Sequence, residues 1–246
     1  RAPTDNDRNI RNRWSLAGYD RLTTKCYGIR ARTEEDAVMI TADLSMAAAG
    51  LAPIMKLRLT YTFSRDRGLM IAAHADVKEG LPPLPRFGFR FVMPEGSEDV
   101  RYFGYGPMES YEDKRLAARI SLFRTTATAN FEPYVRPQEN SSHVGCRFAD
   151  VSDIQGHGLY FSAPEFSFSV SHFSPEYLTS VDHNYELVPE RETTVIVDYR
   201  NAGIGSNSCG PELEPPYRID ETSFGFRFAV KPCRPGNLLP FREYEN

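Results

Sequence analysis

Cysteine is scarce in this sequence, and tryptophan occurs only once. The four cysteines, Cys26, Cys146, Cys209 and Cys233, lie far apart and lack the CxxC spacing of zinc and redox sites. A chain of this length can bury a core without disulfides, so we expect free, mostly buried thiols in a reducing, cytoplasmic compartment. The cysteine pattern therefore argues against a disulfide-stabilised scaffold.

The sequence also lacks a long apolar run and an excess of positive charge. Even the stretch from Ala37 to Met46 is interrupted by Thr41, Asp43 and Ser45, so it does not have the composition of a membrane helix. The net charge is -4, and the lysines and arginines are scattered along the chain. We therefore expect neither nucleic acid nor a membrane as a partner.

No linker rich in proline, glycine or serine divides the chain. Hydrophobic residues make up 41% and charged residues 25%, as in ordinary globular proteins. A β-sandwich of this size commonly forms one unit, so residues 1–246 are predicted to form a single domain. The chain opens at Arg1 without an initiator methionine or a signal segment, and we expect it to be part of a longer protein.

What the sequence does contain is apolar alternation with a period of two, which predicts strands. The alternating positions are Val38, Ile40 and Ala42; Leu57, Leu59, Tyr61 and Phe63; Phe87, Phe89 and Phe91; Phe166, Phe168 and Val170; and Phe224, Phe226, Phe228 and Val230. Ser64 to Gly68 predicts a hairpin turn, and Thr193 to Tyr199 another strand. Ile10 to Leu22 is the one good helix candidate. The predicted fold class is all-β, a large antiparallel β-sandwich.

Trp14 has helical spacing with Ile10 and Ala17, which favours a core anchor over a sugar platform. The histidines show no ligand spacing, so a metal site is not expected. Two of them fall within strand alternation, His74 and His172, and three fall in polar loops, His143, His157 and His183.

Four polar segments interrupt the alternation, and functional residues are expected there because loop backbone groups stay free to bind ligands. The four polar segments are Arg1 to Asp7 (RAPTDND), Tyr102 to Arg115 (YFGYGPMESYEDKR), Pro133 to Asn140 (PYVRPQEN) and Gly203 to Pro211 (GIGSNSCGP). They are numbered first to fourth below. All four are polar loops or strand ends in an otherwise alternating sheet protein, so we expect the segments to converge on one face.

In this order and separation, the four polar segments resemble the carboxy-terminal small-chain domain of family-2 β-galactosidases. The resemblance covers nearly the whole chain. It implies a supersandwich fold like that of galactose mutarotases, and a role for the domain beside the active site of a larger enzyme. It also implies that the parent is a homo-oligomer, whose divalent and monovalent cations are bound by other domains.

The resemblance implies a set of residues at the substrate-pocket edge or the domain interface. These are Asp5, Asn6, Asp7, Glu109, Asp113, Arg115, Gln138, Glu139, Asn140, Asn207, Ser208 and Cys209. Cys209 stands where family members can place a tryptophan, so we expect it to be exposed at the rim and to touch galactose weakly. The structural alternative is that Asp5 to Asp7 form Asx turns and that the carboxylates pair with Arg115 or with other domains.

Catalysis is not implied for this chain, because the family keeps both catalytic carboxyl groups in an upstream (β/α)8 barrel. The acid/base glutamate of the family follows an asparagine, and the sequence contains no Asn-Glu dipeptide. We expect no cofactor in this domain. Two alternatives stay open: a free-standing mutarotase-like enzyme that uses a histidine and a glutamate, and a carbohydrate-binding module.

The isolated chain is expected to hydrolyse no β-galactoside, whereas the parent enzyme hydrolyses lactose-like substrates with retention of configuration. A chromogenic galactoside assay on the purified chain checks this, and polarimetry on α-galactose in parallel exposes a mutarotase. Turnover that survives repurification would show that a catalytic pair is present after all.

Overall fold

The computed structural model describes residues 1–233. The stretch from Arg234 to Asn246, which its prolines and glycine predict to run past the last strand, lies outside the described residues. The strands are β1 (Leu22–Glu34), β2 (Ala37–Ala48), β3 (Met55–Ser64), β4 (Gly68–Val77), β5 (Arg86–Met93), β6 (Asp99–Gly106), β7 (Arg119–Thr126), β8 (Ser142–Ser152), β9 (Gly158–Ser171), β10 (Thr193–Asn201) and β11 (Ser223–Cys233). The helices are α1 (Arg11–Leu16) and α2 (Pro175–Leu178), with 3-10 turns at Asp5–Asn9, Arg115–Ala117, Asn184–Glu186 and Pro215–Tyr217. Within this part of the chain, no helix is long and apolar enough to cross a membrane.

The strands form an antiparallel sheet that branches at β9. Its main path runs β1-β2-β3-β4-β11-β9-β8-β6-β7, while β10 pairs with both β9 and β5. Residues 158–162 of β9 pair with β11, and residues 167–171 pair with β10. The long strand β9 therefore belongs to both branches and lets one sheet fold into two layers.

Rows of aromatic side chains fill the space between the layers. Strands β5 and β11 share no hydrogen bonds, yet Phe87 meets Phe224 with ring centroids 4.9 Å apart. Farther along β5, Phe91 lies 5.0 Å from Phe161 of β9. Face-to-face contact between unpaired strands defines a sandwich. The predicted all-β antiparallel sandwich and its aromatic rows are confirmed.

The hairpin predicted at Ser64 to Gly68 joins β3 to β4 as expected. Gly68 has a φ of +73°, a backbone conformation that side chains disfavour. A Cβ at this position would also come within 2.8 Å of the carbonyl oxygen of Val230. Glycine therefore fits both the turn and the close approach of β11.

The amino-terminal helix is shorter than predicted, because α1 ends at Leu16 and not near Leu22. Gly18 has a φ of +79°, which ends the helix, and a Cβ there would lie 2.5 Å from Cβ of Ala48. Trp14 is confirmed as a packed residue: it is 4% exposed, and its Nε1 donates to the carbonyl of Pro83 at 2.8 Å. The short helix α2 was not predicted, since one turn is too short to show a helical period.

Two histidines are placed differently from the prediction. His143 lies in β8 and is buried, with Nδ1 3.1 Å from the carbonyl of Tyr105 and Nε2 2.7 Å from Oδ1 of Asn130. Burial lowers its pKa to about 4, so the ring is neutral. The surrounding serines look like loop sequence, but they are buried beside the strand. His172 follows the last residue of β9.

The expectation of mostly buried cysteines is wrong. Only Cys146 is buried, Cys233 is half-buried, and Cys26 and Cys209 are exposed. Cys26 lies in β1, which among residues 1–233 pairs with β2 alone and forms the edge of the sheet. An edge strand without a covering layer leaves even its small apolar side chains in solvent.

Replacing Phe168 by alanine is expected to lower the free energy of unfolding by about 3 to 5 kcal/mol, because Phe168 is 0% exposed and packs on Tyr102. Ile154→Ala is the control, since Ile154 is 94% exposed and its loss is expected to change stability by less than about 0.5 kcal/mol. Urea unfolding of the three proteins measures both values. Similar losses for both variants would contradict the assigned core.

Candidate functional site

The first and fourth polar segments are in direct contact. The guanidinium of Arg1 donates to the carbonyl of Gly203 at 2.8 Å, and the side-chain amide of Asn6 donates to the carbonyl of Ile204 at 2.6 Å. Arg1 also forms two hydrogen bonds with the carboxylate of Asp7, and both side chains are buried. Segments about 200 residues apart in the chain are thus joined by side chains that reach backbone carbonyls.

Asp113 of the second segment holds the fourth segment in place. Its carboxylate accepts hydrogen bonds from the backbone N–H groups of Ile204, Gly205 and Ser206 at 3.2, 2.9 and 2.8 Å. The Ser206 hydroxyl donates to the same carboxylate at 2.8 Å. A Cβ on Gly203 would lie 2.2 Å from Oδ2 of Asp113, so the loop requires glycine there. Successive N–H groups around one anion form a rigid loop.

Glu109 joins the second segment to the third. Its carboxylate accepts hydrogen bonds from the ammonium of Lys114, the hydroxyl of Tyr134 and the backbone N–H of Ser141. Lys114 in turn donates to the Tyr134 hydroxyl at 2.7 Å. Burial acts to lower the pKa of Lys114, but these hydrogen bonds raise it above its usual value. The carboxylate of Glu109 is therefore already committed to partners within the chain.

The third segment is anchored from below by a buried cluster of charged groups. The guanidinium of Arg86 donates to both carboxylate oxygens of Glu139 at 2.5 and 3.1 Å, and its Nε donates to Asp198 at 2.9 Å. Glu139 also accepts hydrogen bonds from Asn201 at 3.0 Å and from the hydroxyl of Tyr111 at 3.2 Å. Arg86 is the first residue of β5, and Asp198 lies in the second half of β10, which pairs with β5. The cluster therefore joins the sheet to the loop of the third segment.

The two carboxylates of this cluster differ in their electrostatics. Burial raises the pKa of Asp198 to about 7, and the attraction of Arg86 only partly opposes the rise. Burial also acts on Glu139, but Arg86 holds the pKa of that carboxyl below its usual value. Oδ1 of Asp198 has no hydrogen-bond partner among residues 1–233. The negative charge of Glu139 is thus better balanced by Arg86 than that of Asp198.

Arg86 and Asp198 were not predicted as site residues from the sequence. A signal was present, because Asp198 follows the apolar run Val195 to Val197 within a predicted strand. An aspartate at such a position is buried and needs a cationic partner. The partner itself could not be named from the sequence, since Arg86 lies 112 residues away along the chain.

The predicted convergence of the four polar segments is confirmed by these hydrogen bonds. A further contact joins the first segment to the third, because the backbone N–H of Asp5 donates to Oε1 of Gln138 at 2.9 Å. Arg136 also donates to Asp5 at 3.3 Å, on the exposed side of this contact. We call the surface formed by the four segments the shared face.

The candidate residues divide into buried and accessible groups. Asp7, Asn140 and Asn207 are buried, as is most of the Glu139 side chain. The amide of Asn140 bonds within its own loop, donating to the carbonyl of Gln138 at 2.8 Å. Asn207 accepts at its carbonyl from Asn9 at 3.1 Å. These side chains shape the loops from beneath.

The accessible candidates are either exposed or half-buried. Asp5 and Cys209 are exposed, while Asn6, Gln138 and Ser208 are half-buried. The exposure predicted for Cys209 is confirmed. The 3-10 turn at Asp5–Asn9 replaces the Asx turns considered as an alternative. Whether these residues approach a substrate or another domain stays a prediction.

Arg115 lies apart from the hydrogen-bond network of the segments. Its guanidinium is held over the rings of Tyr105 and Tyr217, at 5.6 and 5.4 Å from their centroids, and it pairs with Glu112 at 3.1 Å. The suggested ion pairs of Arg115 with Glu109, Asp113 and Glu139 are therefore wrong. Each of those carboxylates finds a nearer donor in another segment or strand.

The chemistry available at the shared face is binding and positioning. Asp113 accepts several backbone N–H groups, Glu139 is held by Arg86 and Glu109 by Lys114, so each of these three acts as a structural anion. Among the described residues, no group of three His, Cys, Asp or Glu side chains is arranged to hold a metal ion. The exposed rim offers hydroxyl, thiol, amide and carboxylate groups fixed by the network beneath them.

Replacing Asp198 by asparagine is expected to change the pH dependence of stability. With a folded pKa near 7 and an unfolded pKa near 4, Asp198 retains a proton in the folded state over that range, so wild-type stability falls as pH rises through it. Asp198→Asn removes this loss. Its stability relative to wild type should therefore rise by about 1 to 4 kcal/mol between pH 4 and pH 8.

Urea unfolding at four or five pH values measures this difference. Asp66→Asn is the matched control, because Asp66 is exposed in the turn between β3 and β4. For the control, the difference from wild type in the free energy of unfolding is expected to be the same at every pH. A flat difference for Asp198→Asn as well would mean that Asp198 is ionised throughout the range.

Comparison with known proteins confirms the resemblance indicated by the four motifs. The family model for the β-galactosidase small chain matches residues 1–230. A protein of Actinobacillus pleuropneumoniae named β-galactosidase is 41% identical to this chain, and the match covers 93% of this chain and 22% of that protein. A protein of Staphylococcus xylosus with the same name is 37% identical, and the match covers 94% of this chain and 23% of that protein. This chain spans less than a quarter of the length of these relatives.

One solved structure, described as a putative aldose 1-epimerase of Escherichia coli K12, has a TM-score of 0.39 at 10% identity, over 83% of this chain and 68% of that chain. The family assignment depends on the sequence match alone. With 230 of its residues matched from Arg1 onward, the chain belongs to the β-galactosidase small chain family.

Proposed function

We propose that this chain is a non-catalytic domain of a β-galactosidase that hydrolyses terminal β-D-galactosides such as lactose. The observation that carries the proposal is the match to proteins named β-galactosidase, in each of which the matched region is only 22 to 23% of the length. The remaining three quarters of such a protein leave room for the catalytic barrel. Any divalent and monovalent cations of the enzyme would be bound there too.

The arrangement of carboxylates supports a non-catalytic role. A retaining glycosidase needs two carboxyl groups about 5 Å apart on either side of an open sugar site. Glu139 and Asp198 come together on one guanidinium, but they are buried at the base of the third segment. Glu109 is 6% exposed and bonded to Lys114. These pairs stabilise the fold and are not accessible to a glycosidic bond.

The surroundings of His143 and His172 do not favour the mutarotase alternative. A mutarotase needs a histidine and a glutamate that both reach the sugar. His143 is buried and both of its ring nitrogens contact acceptors of the chain. His172 is bonded through Nε2 to Glu98 at 2.5 Å. Each has the partners of a structural histidine.

The shared face is proposed to contact the other domains of the enzyme. Two apolar side chains in its segments are exposed, Met108 at 57% and Val135 at 83%. Tyr185 is 79% exposed in an adjoining loop, where the N–H of Asn184 donates to the carbonyl of Val135 at 3.1 Å. Apolar side chains held in solvent by ordered loops are typical of the core of a contact surface.

At the rim of this contact, Ser208 and Cys209 are proposed to approach the galactose unit. A thiol in place of an aromatic ring offers little surface for stacking on a sugar, so contact there would be weak. The contribution of the domain to the active site would then come mainly from closing one wall. The parent is also proposed to be a homo-oligomer in which such domains take part in subunit contacts.

Introducing arginine at position 135 of the full-length enzyme is expected to disrupt the proposed contact. A charge forced into an apolar interface without a partner costs about 3 to 5 kcal/mol. Val135→Arg should therefore lower kcat/KM for a chromogenic galactoside at least about tenfold. The stability of the 246-residue chain alone should stay unchanged, because Val135 touches solvent there.

Ile154→Arg is the matched control. Ile154 is 94% exposed in the turn between β8 and β9, at the end of β8 remote from the third segment. It is expected to leave both kcat/KM and stability unchanged. Full activity of Val135→Arg would place the contact surface elsewhere on the domain, and activity of the chain by itself would overturn the non-catalytic role.

A further inference from the structure

An open cavity of about 480 Å³ borders the shared face, lined by residues of β8, β9 and β10 and by Glu112 and Arg115 of the second polar segment. Its floor includes Glu165 of β9 and Tyr199 of β10, and its walls include Glu112, Arg115, Tyr217 and Glu221. The volume lies within the range of about 300 to 1,000 Å³ that is typical of small-molecule sites. Only Arg115 of this group was among the candidates identified from the sequence.

Irregularities in the strands shape this cavity. In β10, Asp198 pairs with Gly88 and Arg200 pairs with Phe87, so Tyr199 is an extra residue without a partner in β5. Consecutive strand residues normally point to opposite faces, but the bulge lets both Tyr199 and Arg200 line the cavity. The register of β8 against β9 also shifts beside Gly145, another lining residue. Bulges that redirect side chains are frequent at binding sites.

Two carboxylates of the cavity have free acceptor capacity. Glu221 accepts from Arg200 at 3.1 Å and from the Tyr199 hydroxyl at 3.3 Å, both at Oε1. Its Oε2 is buried and has no partner in the described part of the chain. The side chain of Glu165 is exposed at the cavity, and its carboxylate forms no hydrogen bond or ion pair with a residue from 1 to 233. A buried oxygen without a donor is costly, and a ligand hydroxyl would satisfy it.

The cationic side of the cavity is fixed in place. The guanidinium of Arg115 lies over the ring of Tyr217 and pairs with Glu112, which leaves other N–H groups of the fork available. Glu112 is largely buried, and this burial raises the pKa of its carboxyl. Arg200 donates to the carbonyls of Pro216 and Arg218 and to the carboxylate of Glu221, so it holds this loop against β10.

The charges in the cavity select among classes of ligand. Three glutamates face two arginines, so the site has a net negative charge that disfavours anions. A neutral polyol carries hydroxyl groups that can each donate to a carboxylate and accept from a guanidinium. It can also place its apolar ring face against the tyrosine at the wall.

We propose that this cavity binds a neutral polyhydroxylated ligand, such as a sugar unit, through Glu165, Glu221, Arg115 and Tyr217. The proposal goes beyond the function proposed above, because it assigns to the chain a binding site of its own and requires no catalysis. Binding is tested on the 246-residue chain and hydrolysis on the full-length enzyme, so either proposal can fail without the other.

The test is a titration of the isotope-labelled chain with galactose, glucose and lactose, followed by amide chemical shifts. Saturable shifts are expected at residues of the cavity, including Gly145, Ser167 and Tyr199. Glu165→Gln keeps the size of the side chain but removes its charge, and it should weaken binding about tenfold or more, as for the loss of a hydrogen bond to a charged group. Tyr217→Ala should weaken binding as well.

Glu95→Gln is the matched control, because Glu95 is exposed beyond the end of β5, at the opposite end of β10 from Arg200. It should bind sugar as the wild type does. Citrate and putrescine, titrated in the same way, represent anionic and cationic ligands. The proposal is overturned if no sugar binds saturably, if Glu165→Gln and Glu95→Gln bind equally, or if citrate or putrescine gives the cavity shifts instead.

Discussion

The shared face depends on the compensation of one buried cation, Arg86. Its guanidinium is 10% exposed and receives two carboxylates, one from β10 and one from the third polar segment. A buried guanidinium requires well-placed anions, and a loop carboxylate that meets it is drawn against the sheet. Glu139 is therefore the point at which the third segment is fixed. Tyr111 and Asn201 complete this site by donating to the same carboxylate.

From this anchor the other segments are connected by hydrogen bonds to anions. Glu109 binds the backbone just after the third segment, and Asp113 binds three successive N–H groups of the fourth. Arg1 and Asn6 then reach the fourth segment from the other end of the chain. In each case a charged or amide side chain satisfies backbone groups that have no strand partner. Loops built in this way are rigid enough to form a contact surface.

The same stretch of β10 contributes to both the buried charge cluster and the cavity. Asp198 belongs to the buried cluster, and Tyr199 and Arg200 line the cavity. The side-chain amide of Asn201 donates to Glu139 of the buried cluster. A regular strand could not divide four consecutive residues in this way, because its side chains alternate. The bulge at Tyr199 is what separates the buried charge cluster from the cavity. One backbone irregularity therefore places neighbouring residues of β10 at two different sites.

Much of the fold could be predicted from local pattern. The aromatic alternation of Phe87 to Phe91 and of Phe224 to Phe228 identified core strands, because a period of two places one row on one face. The predicted end of α1 was wrong, because neither the positive φ of Gly18 nor its closeness to Ala48 is visible in the sequence. The place of His143 was also misjudged, because its neighbouring serines are polar in sequence but buried in the structure.

The sequence by itself determined the all-β class, the strand periods and the four polar segments, because these depend on residues close together in the chain. The partners of charged side chains that lie far apart in the chain were decided by tertiary structure alone. Arg86 meets Asp198 across 112 residues, and Asp113 meets Gly205 across 92. Side-chain charge indicates that a partner is needed, but only the folded sheet brings a particular one within hydrogen-bond distance, because strand order and bulges are set by packing of the whole domain.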